Sequence, residues 1–113
     1  MSISTHVLDV AGGRPAAGMA VTLEVHDPDA GWVEVGAGPT DADGRLAGLV
    51  PDDRPLRAGV HRLRFDTGAW FAAGGRAGFY PEVSVVFEVA DPEEHHHVPL
   101  LLSPYGYTTY RGS

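Results

Sequence analysis

Apolar and polar residues alternate along most of this chain with the two-residue period of strands buried on one face. Ser4 to Val10 is the first such run, and its alternation places His6 on one face with Leu8 and Val10. The glycine-rich Gly12-Gly13-Arg14-Pro15 then turns the chain. Met19 to Val25 sets Val21, Leu23 and Val25 against Thr22 and Glu24, and Trp32 to Val35 is a short third strand. Pro39-Thr40-Asp41-Ala42-Asp43-Gly44 is a turn cluster, followed by a short edge strand over Arg45 to Leu49. Val60 to Phe65, Pro81 to Val89, His95 to Leu102 and Tyr105 to Tyr110 complete the set. Short strands at this spacing predict a β-sandwich or barrel.

One stretch breaks the rhythm. Thr67 to Gly75, TGAWFAAGG, is rich in small residues and does not alternate. It predicts a helix of about two turns, capped by Thr67 and stopped by the glycine pair.

Composition narrows the picture. The 113 residues predict one domain with one core, spanning 1–113. Gly 15 and Pro 9 agree with many turns and little helix. A formal charge of −7, with no run of arginines, argues against nucleic acid as a partner, since phosphate binding calls for a basic stripe. The absence of cysteine excludes a disulfide, a thiolate nucleophile and a thiolate metal site. MSISTHVLDV has neither a basic leader nor a long apolar run, and no later stretch approaches membrane-spanning length. The expected compartment is the cytoplasm, with no membrane contact.

The candidate chemistry lies in three places. His6 sits in the first strand, where a lone histidine is more often a surface or core group than a catalyst. Glu93-Glu94-His95-His96-His97-Val98-Pro99-Leu100 is more informative. Alternation gives His96, Val98, Leu100 and Leu102 to the core, and leaves His95 and His97 on the opposite, partly polar face. The i, i+2 pair has metal-ligand spacing, but the local sequence supplies no third ligand. Asp43-Gly44-Arg45 reads as a tight turn with Gly44 at positive φ, and not as a calcium loop, because Pro39 and Val50 occupy positions that need carboxylates.

Four segments, STHVLDVAGGRPAAGMAV, TDADGRL, GFYPEV and HHHVPLLLSPYGYTTYRGS, occur in an order that resembles the 5-hydroxyisourate hydrolases, the transthyretin-like enzymes of urate breakdown. The resemblance runs from His6 to Ser113, and its most specific element is the closing Tyr110-Arg111-Gly112-Ser113. It implies an all-β, transthyretin-like sandwich of eight strands in two four-stranded sheets, with one short helix near residues 67–74. It also implies a homotetramer, a dimer of dimers, with active sites in a channel between dimers. By resemblance His6, Arg45 and His97 are the catalytic group, and Tyr110, Arg111, Gly112 and Ser113 bind substrate. His96 departs from the family's usual tyrosine, a change expected to affect packing or nearby hydrogen bonds. The implied reaction converts 5-hydroxyisourate to 2-oxo-4-hydroxy-4-carboxy-5-ureidoimidazoline without a metal or organic cofactor.

The rival reading is a carrier. Transthyretin uses the same fold and channel to bind hormone, so fold does not separate the two. Two histidines, an arginine and the YRGS ending favour the enzyme.

Overall fold

The structure, a computed structural model, describes residues 2–113. Two sheets pack face to face. The first is built on β1 (Ser2–Asp9), which runs between neighbours on both sides. On one side it pairs in parallel with β8 (His95–His97) and then with β9 (Leu100–Ser103), and β10 (Gly106–Thr109) lies antiparallel beyond β9. On the other side β1 pairs with β5 (Arg45–Leu46) and with β2 (Arg14–Pro15). The second sheet has the order β4 (Gly31–Pro39), β3 (Ala20–Asp27), β6 (Gly59–Phe65) and β7 (Val83–Val89), antiparallel throughout.

The expected architecture is therefore present, with local differences. His95 to Leu102 is interrupted, because Pro99 has no N–H to give to a ladder, and β8 and β9 are its two halves. The residues read as a turn at Gly12 to Pro15 include the two-residue pairing of β2. With β8 and β9 taken as one strand and β2 set aside, each sheet has four strands. The third strand is longer than Trp32 to Val35, and the edge strand at Arg45 stops after Leu46.

Alternation in β1 buries Ile3, Thr5, Val7 and Asp9 and leaves Ser4, His6 and Leu8 on the outer face. The core between the sheets is filled by Ile3, Val7, Leu100 and Leu102 from one side and Val21, Leu23, Leu63, Phe65 and Val83 from the other. Each of these large side chains contributes about 1.5–3 kcal/mol through burial, so the sheet that carries the outer face is firmly held.

The helix α1 (Thr67–Ala73) ends before Gly74-Gly75 as expected, but its capping differs from the sequence reading. Asp66 stands at the N-cap position and makes no side-chain capping bond, while Thr67 is the first helical residue. The Thr67 hydroxyl donates instead to the carbonyl of Tyr80, on the loop before β7, at 2.9 Å. No helix among the described residues is long and apolar enough to cross a membrane.

Candidate active site

The outer face of β1 gathers the candidate residues through strand register. His6 lies opposite Arg45 in the β1–β5 pair, and Ser4 lies opposite His97 in the β1–β8 pair. Ser4 and His6 are two apart and share that face, so His6, Arg45 and His97 converge on one patch.

Arg45 owes its place to the turn before it. Asp41 Oδ1 accepts from the N–H groups of Asp43 and Arg45, each at 2.9 Å, and the Asp41 N–H donates to the Arg45 carbonyl at 2.8 Å. Gly44 has φ +77°, as the turn reading requires, and its carbonyl accepts from Val7 N–H at 2.8 Å. A Cβ at Gly44 would lie 2.4 Å from the Val7 carbonyl oxygen. Gly44→Ala combines that clash with a disfavoured φ, and it is expected to destabilise the fold by about 2 kcal/mol and to displace Arg45. Thermal melts and activity together check this; an unchanged melting temperature would show the turn to be pliable. The Arg45 side chain is exposed, and among the described residues the ion pairs engage Arg62, Arg64, Arg76 and Arg111 but not Arg45. It is a cation held by backbone and available to an anion.

His6 is oriented by the same turn. Its Nε2 lies 2.9 Å from the Asp43 carbonyl oxygen. A carbonyl only accepts, so Nε2 carries the proton and Nδ1 is the basic nitrogen. His97 is half-buried, and its Nδ1 lies 2.8 Å from Ser4 Oγ. Burial pulls the His97 pKa below the ordinary histidine value, and the nearby positive groups of His95, Arg45 and His6 lower it further. His97 is thus held towards its neutral, proton-accepting form at neutral pH. His96 points into the core, as alternation predicts, and is 4% exposed. Its Nδ1 has no hydrogen-bond partner among the described residues.

The terminal tetrapeptide divides. Gly112 N–H donates to the His97 carbonyl at 2.8 Å, which lays the last residues along the edge of β8. A Cβ on Gly112 would lie 2.6 Å from His97 Cδ2, so glycine allows the backbone to rest against the imidazole. Ser113 follows it, exposed. Tyr110 and Arg111 are not brought to the two histidines within this chain. They line a hollow with Val86, Phe87 and Val98 at the edge of β7, and Arg111 reaches Glu94 at 3.5 Å. Ser4, Asp41 and the Asp43 carbonyl were missed as orienting groups. The Asp-x-Asp-Gly spacing carried a signal for Asp41; Ser4 carried none beyond its two-residue offset from His6. Among the described residues no group of three or more His, Asp or Glu side chains is placed to share a metal ion.

A family model described as the HIUase/Transthyretin family matches residues 3–112. The chain belongs to that family. Within the HIUase/Transthyretin family, a relative from Salmonella typhimurium named 5-hydroxyisourate hydrolase is 45% identical over 111 residues, covering 98% of this chain and 80% of its own. A solved structure of Klebsiella pneumoniae 5-hydroxyisourate hydrolase superposes with a TM-score of 0.81 at 37% identity, covering 99% of this chain and 93% of that one. Sea bream transthyretin in complex with thyroxine superposes with a TM-score of 0.88 at 36% identity, covering 97% and 93%. A hydrolase and a thyroxine-binding protein share the backbone, so the site must discriminate between them.

Proposed function

We propose that this chain is a 5-hydroxyisourate hydrolase of urate breakdown, forming 2-oxo-4-hydroxy-4-carboxy-5-ureidoimidazoline. The observation that carries the reading is the patch on the outer face of β1: an arginine with no ion pair among the described residues, beside two histidines whose ring nitrogens are individually oriented. Binding alone does not call for a half-buried histidine held neutral beside a cation. Relatives bearing the hydrolase name support the same assignment.

The chemistry follows from the residue types. Hydrolysis adds water to a ring carbonyl and breaks the adjacent C–N bond. His97 and His6 remove a proton from water and return one to the departing nitrogen, work that suits imidazole because its ring nitrogens can both accept and donate a proton. The Arg45 guanidinium offers a planar donor fork to the ring oxygens and to the charge that develops on the attacked carbonyl. Tyr110, Arg111, Gly112 and Ser113 form the binding end of the site. Of these, Gly112 already lies against His97, and Ser113 follows it in the chain. Neither a metal nor an organic cofactor enters the scheme. The single 1–113 unit acts in the cytoplasm, without nucleic acid or membrane.

The active form is a homotetramer, a dimer of dimers, with the patch lining a channel between dimers. Leu8 pairs with Leu101 and Leu101 with Thr108, so a partly apolar row crosses the sheet next to the polar patch. Such a row suits a self-complementary interface better than open solvent. Sedimentation or native mass spectrometry at micromolar protein is expected to give a tetramer. A fully active monomer would overturn the shared channel.

The direct test generates 5-hydroxyisourate in place with urate oxidase and follows its ultraviolet decay. Decay should accelerate in proportion to added protein. A rate equal to the spontaneous one, with tight binding of a thyroxine-like ligand, would favour the carrier.

A further inference from the structure

The parallel pairing of β1 with β8 places Ser2 opposite His95 and Ser4 opposite His97. All four side chains contribute to one hydrogen-bonded line. His97 Nδ1 lies 2.8 Å from Ser4 Oγ, and the same Oγ lies 3.0 Å from His95 Nε2. His95 Nδ1 is in turn hydrogen-bonded to Ser2 Oγ. The two imidazoles stack with 16° between their planes, which holds their nitrogens in reach of the shared hydroxyl. Ser2 and His95 are exposed, whereas His97 is half-buried, so the line runs from the site to solvent.

We infer that His97, Ser4, His95 and Ser2 form a proton relay, in which Ser4 and His95 are positioning and relay residues for His97. The inference rests on the hydrolase reading. In one polarity His97 Nδ1–H donates to Ser4, Ser4 O–H donates to His95 Nε2, and His95 Nδ1–H donates to Ser2. His97 Nε2 is then a bare base facing the site. When a water O–H bond breaks, its proton passes to Nε2 and its electron pair forms the new bond to the ring carbonyl. The Nδ1 proton of His97 moves to Ser4, the former Ser4 proton to His95 Nε2, the His95 Nδ1 proton to Ser2, and one proton from Ser2 to bulk water. Both rings finish neutral with their tautomers exchanged. His97 Nε2–H then protonates the departing nitrogen as the C–N bond breaks, and the line reverses by taking one proton from solvent.

The arrangement answers an electrostatic difficulty. His97 faces Arg45 from β5, His6 from β1 and His95 from its own strand, and these groups together with burial disfavour an imidazolium there. A hydroxyl between two imidazoles lets the proton be accepted without leaving the charge on His97.

The test uses the whole chain with 5-hydroxyisourate generated in place. Ser4→Ala and His95→Gln should each lower kcat by about tenfold with KM within about twofold, and Ser4→Thr should recover most of the loss. The Ser4→Ala, His95→Gln double variant should be no slower than either single one, since a line broken once is already broken. Turnover of the wild type in mixtures of light and heavy water should curve with deuterium fraction, and that of Ser4→Ala should be linear. Either single variant within about twofold of wild type, or losses that multiply in the double variant, would overturn the relay. A wild-type protein that fails to hydrolyse 5-hydroxyisourate would instead remove the functional reading on which the relay stands.

Discussion

His97→Asn and His6→Asn are each expected to lower the turnover of 5-hydroxyisourate by about a hundredfold or more, the scale of a lost acid–base group. Asparagine retains hydrogen-bonding capacity but does not titrate, so the loss reports proton transfer rather than shape. His97 is half-buried on an outer face and fills no core position, and its replacement should leave the melting temperature nearly unchanged. The pH profile follows from the sign of the shift. The His97 pKa is depressed by burial first and by the charges of His95, Arg45 and His6 after it. With neutral His97 as the proposed proton acceptor, activity should hold down through the usual histidine range and fall as pH drops through the depressed value. Removing the His95 charge relieves one cause of the depression, and the acid limb of His95→Gln should move to higher pH. Comparable, mild losses in the His6, His95 and His97 variants would point to a general polar surface without a catalytic pair.

The fold was legible where a single period decides the outcome. Across His95 to Leu102, alternation alone assigned the buried face, including His96, because a one-residue slip would have turned every core side chain to solvent, whereas in β1 it grouped His6 with Leu8 without deciding which face is buried. Strand ends were less legible. Pro99 splits a run whose alternation continues past it, and Leu46 ends an edge strand where nothing in the apolar pattern changes. Thr67 was read as a cap from local preference, but a carbonyl thirteen residues away won its hydroxyl, and such contacts are invisible in a one-dimensional reading. The same limit applies at the site. His6, Arg45 and His97 stood out as chemically unusual residues and through resemblance, whereas what orients them is register. Ser4 meets His97 only because two strands distant in sequence run in parallel with that offset. Tyr110 illustrates a further limit: resemblance gave it a role without a position, and in one chain it lines the hollow beside β7.

Deletion of Arg111-Gly112-Ser113 should abolish most turnover, by about a hundredfold or more, while costing little stability. The structural loss is small. The Arg111–Glu94 contact is 3.5 Å long between side chains 61% and 55% exposed, and exposed pairs of this kind contribute at most about 1 kcal/mol. The Gly112 N–H to His97 carbonyl bond adds a comparable amount, about 1 kcal/mol. No core residue is removed, so the sandwich and the proposed tetramer should survive, with a melting temperature lower by about 10 °C at most. The functional loss should be larger because Gly112 lies against the His97 ring at Cδ2, and without it that ring gains freedom and water. Gly112→Ala separates the two contributions. It keeps Arg111 and Ser113 but drives a methyl group to within 2.6 Å of His97 Cδ2, so the ring must shift. Turnover in Gly112→Ala should therefore fall even though every polar group of the terminal segment remains. A truncated protein that hydrolyses 5-hydroxyisourate at the wild-type rate would make the segment a strand end only, and would remove Tyr110 to Ser113 from the site.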